Sequence, residues 1–328
     1  MIESFLRPVL PRLYIPTAVY NHLMPYVMFV LMCLIWGASF LLMRWAADLF
    51  NAQAISAGRM FGGMLVLFVI WGILRRVSKR WRGWAFTRRD IPALGLVVVV
   101  GFIVPWTLQP YLIGTYQQSG LFGMMVALVP LLTVAVSVPM LGTRPTARQG
   151  LGVLLGLAMI TILLGDAVNA HGVPVWAMLL ALAVPLCYAI SNTWVKLRFH
   201  DVDTLLFSAT VMGLGLLFIL PMARLNANPP NDVQISKAIA SVAFLGIAGS
   251  GLAMWMFYKM IQLRGPLFAG MVTYVVPGIA VLLGWALEGE VVTRWQMVAL
   301  FGILCSVTLV QWPSRVAGKP GASGQELA

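Results

Sequence analysis

Ten stretches of mostly apolar residues constrain this chain more than any other feature of its sequence. A helix that crosses a bilayer needs about 20 such residues. The stretches cover about residues 25–43, 54–74, 91–113, 119–141, 149–166, 174–195, 204–223, 237–262, 266–287 and 296–312. Only 10% of the chain is charged, whereas soluble domains carry about 25%. The sequence therefore predicts an all-α integral membrane protein with ten transmembrane helices.

Charged residues predict how the chain is oriented. With residues 1–24 taken as a cytoplasmic N-terminal segment, 17 of the 22 Lys and Arg residues fall on the cytoplasmic side. Cytoplasmic loops of membrane proteins collect these residues, so both termini are predicted to be cytoplasmic in a multi-pass inner (plasma) membrane protein. The net charge of +12 then reflects topology, and no nucleic acid partner is expected. Residues 313–328, which are rich in Gly, Pro and Ser, are predicted to be a disordered cytoplasmic tail.

The second half of the chain repeats the first. The matched pairs lie 147 residues apart late in each copy and 152 apart early: Tyr111 with Tyr258, Gly123 with Gly270, Pro130 with Pro277, Gly142 with Gly289, Ser39 with Ser191, and Arg44 with Lys196. The repeats cover residues 25–166 and 174–312. Because each holds five spans, an odd number, the two copies must insert with opposite orientations.

Inverted repeats of this kind are typical of secondary transporters. Two similar halves exchange conformations, and the exchange opens one central site to each side of the membrane in turn. The sequence therefore predicts a transporter that works by alternating access. A passive channel or a membrane receptor for a small solute is the alternative, because duplication also builds such proteins.

Motifs in both halves resemble those of a known family. The first span contains Trp36-Gly37-Ala38-Ser39-Phe40, and the second repeat runs from Gly249 through Tyr258, Gly265, Tyr274 and Pro277 to Gly289-Glu290. In order and position these residues resemble the EamA-type transporters of the drug/metabolite transporter superfamily. The resemblance implies a ten-helix bundle around a central cavity that exports amino acids, metabolites or small drugs. The chain departs from it at Gly142-Thr143-Arg144, where the family often has an acid after the glycine.

Arg59 is the one clearly ionised residue inside a predicted span. An intramembrane charge is costly and by default suggests function. One hypothesis is that its planar donor group holds a carboxylate of the substrate. The other is structural: the side chain snorkels outward or braces neighbouring carbonyl groups. Its counterpart in the second repeat is Val211, so only one half carries the charge.

Aromatic and polar residues inside the spans are the other candidates for the site. Rings with polar tips suit a small amphipathic solute, although ordinary packing and hydrogen bonds between helices also explain such residues. The candidate cavity residues besides Arg59 are Trp36, Ser39, Gln109, Tyr111, Tyr188, Ser191, Trp255, Tyr258 and Tyr274. Pro130 and Pro277, which match between the repeats, are candidate hinges because proline disrupts helical hydrogen bonding.

Other motifs limit the function classes. The chain has neither a phosphate-binding Gly-x-x-x-x-Gly-Lys loop nor a His-Glu-x-x-His motif, so an enzyme, a cofactor and a metal site are not expected. The expected partners are a small-molecule substrate and the lipid bilayer. Two small-residue motifs, Gly152-x-x-x-Gly156 and Gly302-x-x-x-Ser306, predict either internal packing or a homodimer. Facilitated export and proton antiport both stay open, and Glu290 is expected to have a structural role at a helix turn.

Overall fold

The computed structural model describes residues 17–77, 87–142, 145–199, 202–226, 231–264 and 266–311. Within these ranges ten helical units are long and apolar enough to cross a membrane, which confirms the predicted fold class. They are α1 (Thr17–Ala46), α2 (Ala52–Val77), α3 (Ile91–Tyr116), α4 (Ser119–Leu141), α5 (Ala147–His171), α6 (Val175–Arg198), α7 (Thr204–Met222), α8 (232–264), α9 (266–288) and α10 (Arg294–Gln311). Most of the predicted N-terminal segment, the basic loop over 78–86, Thr143, Arg144 and the predicted tail lie outside the described residues.

The fourth helices of the two repeats end with the same backbone conformation, and the fifth helices begin with the same capping pair. Gly142 closes α4 and Gly289 closes α9, both with a left-handed backbone at φ of +66° and +64°, a conformation that glycine adopts without a steric cost. The helices that follow begin with capping pairs that are also 147 residues apart, Thr146 with Gln149 and Thr293 with Gln296. The repeat seen in the sequence is thus a repeat of local structure.

The third helix of each repeat also contains a π-helical segment at a similar position. In α3 the segment Val97–Ile103 is π-helical, and in α8 the segment Leu245–Leu252 is π-helical. Single π turns inside α-helices are rare and frequently occur at functional sites. Both segments lie near the middle of the third helix of their repeat, so the irregular backbone belongs to the shared five-helix design.

Packing follows the symmetry between the repeats. The second helices of the two repeats, α2 and α7, pack on each other, as do the fifth helices, α5 and α10. Two further contacts are equivalent: α1 packs along α9, and α6 packs along α4. This arrangement places α1, α3, α6 and α8 around the middle of the bundle.

Small residues allow the closest helix contacts. Gly62 of α2 meets Gly246 of α8 so closely that a Cβ on Gly62 would lie 2.8 Å from the backbone of Gly246. Between α5 and α10, Ser306 Oγ donates to the carbonyl oxygen of Gly152 at 2.6 Å, and Gly302 lies against Met159. Of the two alternatives for the small-residue motifs, internal packing is therefore the one that the structure displays. A homodimer stays a prediction.

Candidate functional site

Two equivalent helix crossings lie at the centre of the bundle. Ser39 of α1 is buried and contacts Gly249 in the π turn of α8, while Ser191 of α6 is buried against Gly101 in the π turn of α3. The indole nitrogen of Trp36 donates a hydrogen bond of 3.1 Å to the carbonyl oxygen of Gly249. Each crossing joins one helix of the first repeat to one helix of the second. The predicted residues Trp36, Ser39 and Ser191 therefore lie where the two repeats meet.

Three of the aromatic residues singled out in the sequence pack with a fourth aromatic residue, Trp106, in one cluster, which we call the aromatic cluster. It contains Trp106 of α3, Tyr188 of α6, and Trp255 and Tyr258 of α8. The hydroxyl groups of Tyr258 and Ser208 are 2.9 Å apart. The cluster thus combines a broad apolar surface with a few hydroxyl groups, an arrangement that suits an amphipathic solute.

Arg59 lies beside this aromatic cluster and is only 7% exposed. Its guanidinium carbon is 4.3 Å from the centre of the Trp106 ring, and its Nη1 lies 3.4 Å from the sulfur of Met43. The contacts that the described residues give the Arg59 side chain are with Trp106 and Met43, and its Nε has no protein acceptor among them. The ligand-binding hypothesis and the structural hypothesis for Arg59 both stay predictions.

Three other candidates differ in their surroundings. Gln109 is buried in α3, one turn from Trp106. Tyr111 is 46% exposed and lies outside the aromatic cluster. The hydroxyl group of Tyr274 donates to the carbonyl oxygen of Val307 at 3.1 Å and lies 3.0 Å from Gln311 Oε1, which ties it to α10. The structure does not bring Tyr111 and Tyr274 together with the aromatic cluster.

The candidate hinges lie at or near interruptions of their helices. Pro130 follows a 3-10 turn at Val126–Leu128 that divides α4. In α9 a turn at Met271 separates a short first helix from a long second one, and Pro277 lies inside the second. Helices four and nine are thus both interrupted, and their role as hinges stays a prediction.

A charged network, which we call the Arg44 lock, joins α1, α4 and α9 at one end of the bundle. Glu290 follows α9, and its carboxylate accepts hydrogen bonds from the backbone N–H of Ser119 at 2.8 Å and of Gly120 at 2.9 Å. The Ser119 hydroxyl group and Arg44 Nη1 also donate to it, at 2.6 and 2.9 Å. A carboxylate at a helix N-terminus satisfies the free N–H groups there, so Glu290 fastens the start of α4 to the ends of α1 and α9.

Glu288 extends the Arg44 lock to α8. Its carboxylate lies 3.3 Å from Arg44 Nη2 and 3.6 Å from Lys237 Nζ, and it also accepts the indole N–H of Trp45. Beside this network, burial raises the pKa of the Asp48 carboxyl group; Lys237 opposes the rise, Glu288 adds to it, and Arg44 opposes it. The lock therefore ties four helices together at the Arg44 end.

At the opposite end, marked by Lys196, the sequence positions equivalent to the acids of the Arg44 lock carry no acid. The repeat pairs Arg44 with Lys196, but Glu288 and Glu290 correspond to Leu141 and Thr143. Packing differs in the same way: α1 packs on the first segment of α4, whereas the described residues give no comparable packing of α6 on the first segment of α9. The described residues therefore show no repeat-equivalent of the Arg44 lock at the Lys196 end.

A second buried polar group ties α5 to α10 at the Arg44 end. The Thr293 hydroxyl group donates to Asp166 Oδ1 at 2.7 Å. His171 Nε2 lies 2.7 Å from the amide nitrogen of Gln296 and 3.5 Å from Asp166 Oδ2. Because the fifth helices of the two repeats pack together, these bonds connect the repeats away from the central site.

A ten-helix bundle built from two inverted repeats, with buried polar and aromatic residues where the repeats meet, defines a membrane transporter of the inverted-repeat class. The model of the EamA-like transporter family matches residues 23–165 and 175–312. Each match covers one five-helix repeat. The chain therefore belongs to the EamA-like transporter family.

Several curated proteins are similar to this chain. The uncharacterized inner membrane transporter YedA of Escherichia coli (strain K12) is 26% identical over 280 residues, which cover 76% of this chain and 90% of YedA. The uncharacterized transporter YoaV of Bacillus subtilis (strain 168) is 21% identical and covers 84% of this chain and 92% of its own length. Protein PagO of Salmonella typhimurium is 23% identical over 86% of this chain and 91% of its own length.

A crystal structure has the same fold. That chain superposes with a TM-score of 0.60 at 18% sequence identity, and the match covers 91% of this chain and 99% of that one. Together with the named inner membrane relative and the ten apolar helices, the family places this protein among multi-pass inner membrane transporters.

Proposed function

We propose that this protein exports a small amphipathic solute across the inner membrane by alternating access between its two repeats. The solute binds where the repeats meet, beside Trp36, Ser39, Ser191 and the aromatic cluster. No chemical step is part of this function. The family supports the transport activity, and the arrangement of the centre supports the location of the binding site.

The asymmetry of the Arg44 lock is the observation that carries this proposal. A carrier must close one end while the other is open. Here Glu288 and Glu290 fasten the Arg44 end, and the equivalent positions in the first repeat are Leu141 and Thr143. The lock consists of side chains rather than covalent bonds, so a conformational change can break it and form it again. We take the structure as the state in which the Arg44 end is closed.

The proposed direction follows from the charge distribution of the loops. By the predicted span boundaries, most of the Lys and Arg residues belong to connections on the side of Lys196. We therefore assign that side to the cytoplasm by the positive-inside rule. The closed Arg44 end then faces outward, and the central site receives its solute from the cytoplasm. An exporter loads its solute on that side.

An efflux screen followed by counterflow tests this function. Cells that overexpress the chain are first screened for resistance to a panel of amino acids and toxic analogues, and the solute found is loaded into proteoliposomes. We expect saturable flux, and we expect excess unlabelled solute on one side to drive transient accumulation of labelled solute there. Flux that does not saturate, with no counterflow, would instead identify a passive channel and refute alternating access.

A further inference from the structure

We propose that Arg59 is the counter-charge for the transported solute and that this solute is a monocarboxylate with an apolar, preferably aromatic, body. The inference rests on the proposed function, because it names the substrate class of the same central site. Four observations support it: the convergence of helices on Arg59, its missing acceptor, its uncharged counterpart and the composition of the aromatic cluster.

Arg59 lies where helices of both repeats converge. It extends from α2 and contacts Met43 of α1 and the ring of Trp106 of α3. Tyr188, which comes from α6 in the second repeat, packs in the same aromatic cluster as Trp106. A ligand on Arg59 therefore touches parts of both repeats, and it senses their relative movement.

The positive charge of Arg59 is under-compensated. Its Nε is buried without a hydrogen-bond acceptor, and the described part of the chain places no carboxylate within 4 Å of the guanidinium group. A thioether and an aromatic ring are weak partners for a buried cation, which normally requires a paired anion. A carboxylate is the ligand that fits the planar donor group of arginine with two parallel hydrogen bonds.

The fold itself does not require a charge at this position. Val211 occupies the equivalent place in the second repeat and is completely buried. In contrast, Arg44 of the Arg44 lock is paired with both Glu288 and Glu290. Because valine fills the equivalent position in the second repeat, helix packing does not require this unpaired buried arginine. Binding of a ligand explains it better.

The surroundings of Arg59 define the rest of the solute. The aromatic cluster offers ring faces and a few hydroxyl groups and contains no carboxylate. The single positive charge of Arg59 matches a solute with one negative charge. A doubly charged phosphate would keep one negative charge unpaired, and a cationic solute would be repelled by the guanidinium group. The rings of Trp106 and Tyr188 favour an apolar body next to the carboxylate.

The test uses purified full-length protein in detergent and measures ligand binding by calorimetry. The probes are phenylacetate, indole-3-acetate and 4-methylpentanoate, each compared with its neutral amide. We expect at least one carboxylate to bind more tightly than its amide. Arg59→Gln is expected to weaken the binding of that carboxylate at least about tenfold and to leave the binding of its amide unchanged. Arg59→Lys is expected to retain part of the preference for the carboxylate over the amide. Arg224→Gln, which removes an exposed arginine, is the control and retains full affinity.

Ligand-free stability provides the second measurement. Because Arg59 is an unpaired buried charge, the thermal unfolding midpoint of Arg59→Gln is expected to equal or exceed that of the wild-type protein. A large fall in that midpoint would assign Arg59 a structural role and overturn the proposal. Equal affinities for acids and amides, or full acid affinity in Arg59→Gln, would also overturn it. If such a result accompanies intact counterflow, the proposed transport function still stands; absent counterflow in the wild-type protein refutes that function separately.

Discussion

Glu290 accepts four hydrogen bonds from α4 and α1 although it lies in a short connection after α9. The sequence predicts a structural role for it at a helix turn but does not predict its partners, because Ser119 and Arg44 are distant in the chain. The repeat alignment contains a signal: Gly289-Glu290 in one copy faces Gly142-Thr143 in the other. Because the two turns otherwise match, the acid at position 290 indicates an interaction that the equivalent turn at position 143 does not make in the same way.

Replacing Glu290 tests its part in the Arg44 lock. Glu290→Gln removes the negative charge opposite Arg44 and one acceptor for buried donors, so we expect a loss of about 3 kcal/mol in the free energy of unfolding. The side chain of Glu288 is more exposed than that of Glu290, at 19% against 5%, so Glu288→Gln is expected to cost clearly less. Thermal or denaturant unfolding in detergent measures both variants. Equal losses would show that Glu290 is not the central residue of the lock.

Two aspartates outside the spans are expected to respond to pH with opposite signs. Burial raises the pKa of Asp48 above its ordinary value of 3.8. The contribution of Asp48 to stability is therefore fully present below pH 3.8 and is lost as the pH rises through the higher pKa of the folded state. Hydrogen bonds from Thr87 lower the pKa of Asp90, so its contribution is present above pH 3.8 and is lost as the pH falls through the lower folded value.

The corresponding variants are Asp48→Asn and Asp90→Asn. We expect Asp48→Asn to raise the unfolding midpoint slightly at pH 7, and we expect Asp90→Asn to lower it slightly. Both differences shrink as the pH approaches 4, which unfolding scans from pH 4 to 8 measure. Shifts of the same sign at pH 7 would contradict the electrostatic environments described here.

At the level of helices, the sequence predicts number and approximate extent because about 20 apolar residues are needed to cross a bilayer. It does not predict the π turns in α3 and α8 or the interruptions in α4 and α9. Those irregularities depend on tertiary contacts: Gly101 lies against Ser191, and Gly249 lies against Ser39. Apolar periodicity contains no information about partners on other helices. For the same reason it does not predict that Trp106 is buried in the aromatic cluster and that Tyr111 lies outside it.

The crossing of α2 and α8 provides a matched pair of glycine variants. A Cβ on Gly62 would lie 2.8 Å from the backbone of Gly246, whereas a Cβ on Gly72, in the same helix, would meet nothing within 4 Å. Gly62→Ala is therefore expected to cost about 1–3 kcal/mol because backbone must move. Gly72→Ala is expected to be neutral or slightly stabilising, since alanine favours helix. Similar unfolding midpoints for the two variants would contradict the observed helix packing.

At the scale of the whole molecule, the sequence predicts the two inverted repeats because an odd number of spans fixes their relative orientation. The matching capping pairs, helix-ending glycines and π turns extend this symmetry to local structure. Our proposals rest on two departures from this symmetry: Arg59 corresponds to Val211, and the acids Glu288 and Glu290 correspond to Leu141 and Thr143. In the proposed mechanism, the symmetry lets the two halves exchange conformations, and the departures from it supply the ligand charge and the closed end.

The most direct test of alternating access is the side from which the central crossings can be labelled. In a chain that lacks Cys33, Cys187 and Cys305, Ser39→Cys and Ser191→Cys are treated separately with a membrane-impermeant thiol reagent, in right-side-out and in inverted vesicles. Without solute, both positions are predicted to react only from the cytoplasmic side, and adding Arg44→Gln is predicted to make them react from the outside as well. Reaction from both sides with the Arg44 lock intact, or from the outside alone, would contradict the account.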